Sequence, residues 1–315
     1  MAGFEGQMAS QAGAVLTPPA LFTLDYFPPP AGLASLITTF YHFRCDEREI
    51  RDVQPAAVGH VIVFLAGSGE MHFATGQIDP SHRVSLLTPS GAAAPIRVDG
   101  PFHCVGAALS PLGWAALTRL HAGIWSDRML PAAQVLGLEV DEFGEQLADA
   151  YGRGIAGAEL CARLGAFLAG YMRPVNPRHA GLMQAVTAWL SESFDPPMAA
   201  LFARSAYSPR QTQRLVERYF GLPPRELRRK YRALRIVALL AQPDISDAEV
   251  AALVDHFYDQ SHMIREIRQF AGRTPGRLAE DRESILSALL DVRNFREIAP
   301  RVAPLPDGFG ANDSQ

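Results

Sequence analysis

The sequence predicts an α+β chain, with a β-rich N-terminal domain followed by an all-α C-terminal domain that holds two helix-turn-helix units. Three observations carry this reading. Short β-branched and aromatic runs broken by Gly and Pro fill residues 33–109, and capped segments of helical period fill residues 198–270. Charge also divides along the chain. Its 29 Lys+Arg and 33 Asp+Glu leave −4 overall, yet 14 of the cations and 9 of the anions lie between Pro197 and Glu280, so that region carries +5 and the rest −9.

With 315 residues, 48% of them hydrophobic, the chain can bury two ordinary cores and is too apolar to be disordered. Cys45, Cys104 and Cys161 are far apart, odd in number and outside any C-x-x-C pair, which excludes a disulfide framework or a zinc knuckle and fits a reducing compartment. No Lys or Arg precedes Arg44, and the start has no long apolar stretch, so no secretory signal is read. Nor does any segment reach the roughly 18 apolar residues of a membrane span. A cytoplasmic protein is expected.

Residues 1–20 are small and polar, with Pro18-Pro19, and read as a disordered N-terminus. The β-rich domain is placed at 21–175. Its strand candidates are Leu33–Phe43, His60–Ala66, Glu70–Thr75, Arg83–Leu87, Ile96–Asp99 and Phe102–Leu109, with Gly67-Ser68-Gly69 read as a hairpin turn. Many short strands with frequent turns indicate a barrel or a sandwich. After Ser110-Pro111 the spacing turns helical, with further helices near 140–153 and 157–172. The run Arg173-Pro174-Val175-Asn176-Pro177 resists helix and makes a linker. Residues 178–285 form the helical domain, and 286–315 are a C-terminal extension rich in Pro, Gly and Asp toward its end.

Within the helical domain, Ser208-Pro209-Arg210-Gln211 combines an N-cap serine, proline at N1 and glutamine at N3, a strong helix start. At 100° per residue Thr212, Leu215, Val216, Tyr219 and Phe220 share one face, and Arg210, Gln213, Arg214, Glu217 and Arg218 the other. A short helix at Met198–Arg204, joined through Ser205-Ala206-Tyr207, gives helix-turn-helix spacing. A second such pair follows. Ser246-Asp247-Ala248-Glu249 opens a helix through Val254, and Asp259 caps another through Phe270, with Met263, Ile264, Ile267 and Phe270 opposite Ser261, Arg265, Arg268 and Gln269.

Between them, Pro224–Ala241 reads as a longer helix with Leu227, Tyr231, Leu234 and Ala238 on one side and Arg225, Arg228, Arg229 and Arg232 on the other. Four arginines on one face repel each other unless an anion is near, and DNA phosphate is the obvious one. A lone basic helix face is more often merely solvated. The two capped polar helices that flank this one favour the nucleic acid.

These residues resemble the DNA-binding region of the AraC/XylS family of transcriptional regulators over about residues 178–280. The resemblance rests on Ser208 through Arg214, Gly221-Leu222-Pro223-Pro224, Arg232 with Leu239-Leu240, Ile245 through Val254, His256 through Met263, Arg265 and Gly272-Arg273-Thr274-Pro275. It departs at Thr212, where the family carries an apolar residue and looser packing is expected, at His256 in place of a glycine, and at Met263 and Ile267 in place of aromatics.

The resemblance implies two recognition helices set in successive major grooves, about 34 Å apart along the duplex. Base-edge contacts are assigned to Arg210, Gln211, Arg214, Ser261, His262 and Arg265, which sit early on each recognition helix and away from its apolar stripe. Phosphate contacts are assigned to Arg218, Arg225, Arg228, Arg229 and Arg268. The family also implies a cupin-like β-barrel with flanking helices at the N-terminus, which binds a small-molecule effector or dimerises. Double-stranded DNA is the expected partner, with an effector, RNA polymerase and a second copy of the chain as further candidates.

No catalytic residue, cofactor or metal is assigned. His60, His72 and His103 are scattered without a His-x-His pair, unlike the clustered ligands of a metal cupin. Cys104 beside His103 invites a thiol sensor, but neighbouring strand residues point to opposite faces, so a buried core cysteine is the better reading. A metal- or thiol-dependent cupin-like enzyme or sensor with a nucleic-acid-binding domain is the alternative, and a module whose arginine helix binds an acidic protein is a third. Tyr26, Phe27, Tyr41, Phe43, Phe64 and Phe73 are candidates to line a ligand cavity or simply to fill the core. The effector residues stay unassigned.

Overall fold

The computed structural model describes residues 21–240 and 260–274. Strands β1 (Phe22–Phe27), β2 (Ile37–Cys45), β3 (Glu49–Gln54), β4 (His60–His72), β5 (Ile78–Pro80), β6 (Val84–Leu87), β7 (Ala94–Leu109) and β8 (Met129–Pro131) form one antiparallel sheet. Its order is β1-β2-β7-β4-β6-β8, with β3 paired to β7 and β5 to β4. The 16-residue β7 is the spine. One edge pairs with β2 through Phe102–Leu109 and with β3 through Ala94–Asp99, while the other follows β4.

Gly67-Ser68-Gly69 is not a hairpin turn. It lies inside β4, which joins two of the expected strands into one of 13 residues. Gly67 takes φ +76°, and the ladder to β7 shifts register around Ala66, so the glycine makes a bulge. A side chain there would stand 2.4 Å from the carbonyl oxygen of Pro101. The bend therefore needs glycine, and it falls opposite Gly100-Pro101, the punctuation that had divided β7 in the sequence reading.

The sheet curls so that β1, β3, β6 and β8 all contribute to the wall of a half-open cavity. On its outer face lie α1 (Pro111–Thr118), α2 (Ala133–Leu136), α3 (Glu139–Gly152) and α4 (Gly157–Ala169). Leu160, Cys161, Leu164 and Leu168 of α4 join Ile37, Phe40, Val105 and Ala107 of the sheet in one core. Alternation along β2 divides its side chains as a pleat requires. Tyr41 and Phe43 face the cavity, and Phe40 packs under α4.

His42 is buried on that outer face, with its ring edge-on to Tyr151 and close against Gly157. Burial pushes its imidazole down to about 4, aided by the Arg44 charge. The unfolded chain then binds the proton first, between the ordinary value of 6.5 and about 4, so stability falls as pH drops through that window. The slope for one histidine reaches at most ~1.4 kcal/mol per pH unit. Urea unfolding at pH 7 and pH 5 should show this loss, and His42→Phe should reduce it, leaving the part carried by His60, which burial also holds down at about 4. Equal slopes in the two proteins would remove His42 as the cause.

The helical part continues with α5 (Pro177–Glu192), α6 (Met198–Arg204), α7 (Pro209–Phe220), α8 (Pro224–Leu240) and α9 (Gln260–Ala271). It docks on the sheet domain through backbone as well as side chains. Ala56 N–H donates to Phe270 O at 2.8 Å, Ala93 N–H to Gln269 O at 2.8 Å, and Ala122 N–H to Arg218 O at 2.7 Å. These bonds satisfy terminal carbonyls of α9 and α7 that the helices leave unpaired. Lys230 of α8, 2% exposed, donates to Ala57 O at 2.8 Å and Ser90 O at 3.0 Å. The expected helix at 246–254 and His256 lie outside the described residues, and no helix of the described residues is long and apolar enough to cross a membrane.

Candidate nucleic-acid interface

The helix α7 begins as local chemistry dictates. Ser208 accepts from Gln211 N–H while the Gln211 side chain accepts from Ser208 N–H, with Pro209 at N1. Gly221 ends the helix with φ 86°. Thr212, Leu215, Val216, Tyr219 and Phe220 are buried, whereas Arg210, Gln211, Gln213, Arg214, Glu217 and Arg218 are exposed. The apolar side meets Leu182, Met183, Val186, Trp189 and Leu190 of α5 and Leu201 of α6. Packing of α7 against α5, α6 and α8 thus fixes which side is left to a ligand.

Thr212 does not loosen this packing. Fully buried, it places Oγ1 2.6 Å from Ser205 Oγ and donates to Tyr207 O at 3.4 Å, tying α7 to the turn before it. Thr212→Val keeps the volume but removes the Ser205 hydroxyl's bond to Thr212 and the donor to Tyr207 O, although Ser205 still accepts from Tyr207 N–H at 3.2 Å, so it should cost about 1 kcal/mol in urea unfolding. Adding Ser205→Ala should not recover that loss, since Tyr207 N–H then loses its acceptor too. A neutral Thr212→Val would mean that the hydroxyl contributes nothing.

On α9, Met263, Ile267 and Phe270 are buried, while Ser261, Arg265, Arg268 and Gln269 are exposed. His262 is drawn partly inward, its Nε2 3.3 Å from Glu266 Oε1. Of the residues assigned to base edges, Arg210, Arg214, Ser261 and Arg265 are therefore exposed, with no side-chain partner among the described residues. Gln211 is exposed but shares its amide oxygen with the cap, and His262 leans on Glu266.

The arginine face of α8 finds anions inside the protein, which the sequence reading had sought in DNA. Glu266, 0% exposed, receives Arg229 Nε at 2.7 Å and Arg232 Nη2 at 2.8 and 2.9 Å. Asp195 sits 3.0 Å from Arg232 Nη1 and 3.2 Å from Arg228 Nε, and Arg229 also meets Glu226 at 2.6 Å. Arg232 is buried outright; Arg228 and Arg229 are half-buried; Arg225 is exposed. Helical periodicity missed this because Asp195 and Glu266 come from segments some 30 or more residues away.

Arg235, on the buried side of the same helix, donates to the carbonyls of Leu190, Ser193 and Phe194 at the end of α5. Burial lowers its guanidinium to about 10, which leaves it charged at neutral pH. The arginines of α8 thus act as ties. They join α8 to α5 on one side and to α9 on the other.

The remaining candidates separate in space. His60 meets Tyr41 at 3.3 Å, His72 meets Glu70 at 2.8 Å, and His103 bridges Asp46 at 2.9 Å and the Tyr151 hydroxyl at 2.7 Å. Among the described residues no cluster of three His, Cys, Asp or Glu could hold a metal. Cys104 lines the cavity while His103 points to the other face, and burial pushes the Cys104 thiol up to about 12. Such a thiol carries almost no thiolate at neutral pH. Of the six aromatic candidates, Tyr26, Tyr41, Phe43 and Phe64 line the cavity; Phe27 packs on the helix-covered core, and Phe73 clusters with the cavity-lining Phe64, Met71 and Leu87.

Comparison with known proteins agrees on the helical region. A family model described as a helix-turn-helix domain matches residues 201–281. No curated protein matches the chain. Among solved structures, ToxT from Vibrio cholerae aligns with 8% identity over 82% of this chain and 98% of its own, at a TM-score of 0.44. The unsaturated fatty acid bound ToxT of Vibrio cholerae strain SCE256 gives 9% identity, 84% and 97% coverage, and 0.40. The AraC-like transcriptional activator CuxR gives 11%, 91% and 94%, and 0.30. In its C-terminal part, over residues 201–281, the chain carries a helix-turn-helix domain.

Proposed function

We propose that this protein is a sequence-specific DNA-binding regulator of transcription that reads two successive major grooves, under control of a small molecule held by its N-terminal domain. The observation that carries the reading is the pair α7 and α9. Each buries its apolar stripe and presents arginines with small polar residues, and each packs on the same helix α8. Two reading heads on one rigid spacer suit two grooves on one side of a duplex.

In this reading Arg210, Arg214 and Arg265 address base edges, with Ser261 beside them and Gln211 and His262 in supporting positions. Arg218, Arg225 and Arg268, all exposed, meet phosphates. Arg228 and Arg229 would offer a phosphate only the part of each guanidinium that Asp195, Glu226 and Glu266 leave open. RNA polymerase and a second copy of the chain are further partners in keeping with such a regulator.

Selection of duplexes from a random library by the full chain should enrich a motif with two patches about one helical turn apart, bound with a steep salt slope. On that site Arg214→Ala should cost about 1–3 kcal/mol and relax preference at one base pair. Arg225→Ala should instead weaken all sequences alike and reduce the salt slope by about one. A uniform loss for Arg214→Ala would reassign it to phosphate. Failure to enrich any motif would reject specific readout by this chain.

A further inference from the structure

The cavity inside the curled sheet measures about 190 Å³, more than the roughly 150 Å³ that admits benzene in an engineered core. Its wall is mostly apolar. Among the described residues that line it, none is lysine or arginine, and the one carboxylate, Glu70, is engaged by His72 at 2.8 Å. Thr38, Thr39, Gln54 and Ser81 also line it but are bonded to backbone, and beside Tyr26 the polar side chains that meet each other across it are Tyr41 and His60, whose Oη and Nδ1 lie 3.3 Å apart. Both line the cavity and keep part of their surface open.

The placement of this pair is built in. Tyr41 lies opposite Gly106 on β7, and a side chain at Gly106 would come within 2.2 Å of the Tyr41 ring. Only glycine lets the ring lie on the strand with its hydroxyl beside His60. Burial holds the His60 imidazole down at about 4, helped by the charge of Lys230, and burial likewise keeps the Tyr41 phenol protonated. The pair is thus neutral at physiological pH and can both donate and accept. Lys230 spends its ammonium on Ala57 O and Ser90 O and is not part of the cavity wall.

We propose that the cavity binds a small, uncharged, mainly apolar molecule of about one ring with a short tail, whose single hydrogen-bonding group is read by Tyr41 and His60. A carboxylate there would touch no cation among the described lining residues, since the nearby Lys230 is held by Ala57 O and Ser90 O, a desolvation cost that apolar contact does not repay. A neutral hydroxyl or carbonyl finds both a donor and an acceptor. This assignment rests on the reading of the N-terminal domain as the effector-binding part and supplies the chemical class of the effector.

Three matched probes test it on the full chain at pH 7.5 by isothermal titration calorimetry: 4-butylphenol, butylbenzene and 4-butylbenzoate. The phenol should bind tightest, butylbenzene about fivefold more weakly for want of one neutral hydrogen bond, and the carboxylate at least about tenfold more weakly than the phenol. Tyr41→Phe should narrow the gap between phenol and butylbenzene, with His60 left as the one partner. Because the wild-type ranking needs no variant, it stands even if Tyr41→Phe folds poorly.

Carboxylate affinity equal to that of the phenol would bring Lys230 into the site and overturn the proposal. So would the absence of binding by all three probes. Duplex selection with the same preparation reports DNA readout separately, so failure of the cavity assignment and failure of the regulator reading are told apart.

Discussion

Glu266→Ala should destabilise the helical domain by about 3–5 kcal/mol, the cost of breaking a buried ion pair and leaving its partner charged and unpaired. Glu266 is wholly buried, and it accepts from both Arg229 and Arg232 while His262 leans on it. Arg232 is only 6% exposed, so without Glu266 its guanidinium keeps Asp195 and loses half of its compensation.

Urea unfolding of the full chain measures this loss. Glu266→Gln, which keeps the shape and one acceptor, should fall between wild type and alanine. The double change Glu266→Leu with Arg232→Met should recover much of the deficit, since a buried pair replaced by well-packed apolar groups is often neutral. On the selected DNA site, the patch read by α9 should lose protection before the patch read by α7. A cost below about 1 kcal/mol for Glu266→Ala would show that the cluster is hydrated and not a tie between α8 and α9.

Trp189→Ala is the second large effect, about 3–5 kcal/mol from the lost transfer energy and the cavity left behind. Trp189 is 0% exposed at the centre of the cluster that supports α7, among Leu182, Val186, Leu215 and Val216. Its indole N–H donates to Pro197 O at 3.0 Å, which holds the start of α6. Removing the ring therefore undermines both helices of the first unit. Trp189→Phe should cost less, since it keeps most of the apolar volume and loses the one hydrogen bond. Protection on DNA should now fail first at the patch assigned to α7, the reverse of the Glu266→Ala pattern. If both substitutions weakened both patches equally, the two units would be behaving as one cooperative body.

The helices were legible because their signals are local. The capping box at Ser208 and Gln211, Pro209 at N1 and the apolar period of Thr212, Leu215, Val216 and Tyr219 are written within a dozen residues, and α6 spans the expected Met198–Arg204. The strands were legible less well. Breaks that the sequence shows at Gly67-Ser68-Gly69 and Gly100-Pro101 are bends shared by two paired strands, which appear only when β4 and β7 lie side by side. The strands β1, β3, β5 and β8 were not expected at all: β5 and β8 have three residues each, and β1 and β3, each with charged residues among its apolar ones, are defined by pairing with β2 and β7.

For the site, the sequence by itself determined which residues of α7 and α9 are turned outward, because a helix of period 3.6 with one apolar stripe leaves only one face to solvent. Tertiary structure decided which arginines remain available. Arg228, Arg229 and Arg232 meet Asp195, Glu226 and Glu266, and only the fold brings Asp195 and Glu266 to α8. The cavity follows the same rule. Alternation along β2 assigns Tyr41 and Phe43 to one face, but that this face is the inner one, and that His60 stands 3.3 Å from Tyr41 within it, depends on the curl of the whole sheet. Local geometry is set by neighbours in sequence, whereas charge compensation and cavity shape are set by neighbours in space.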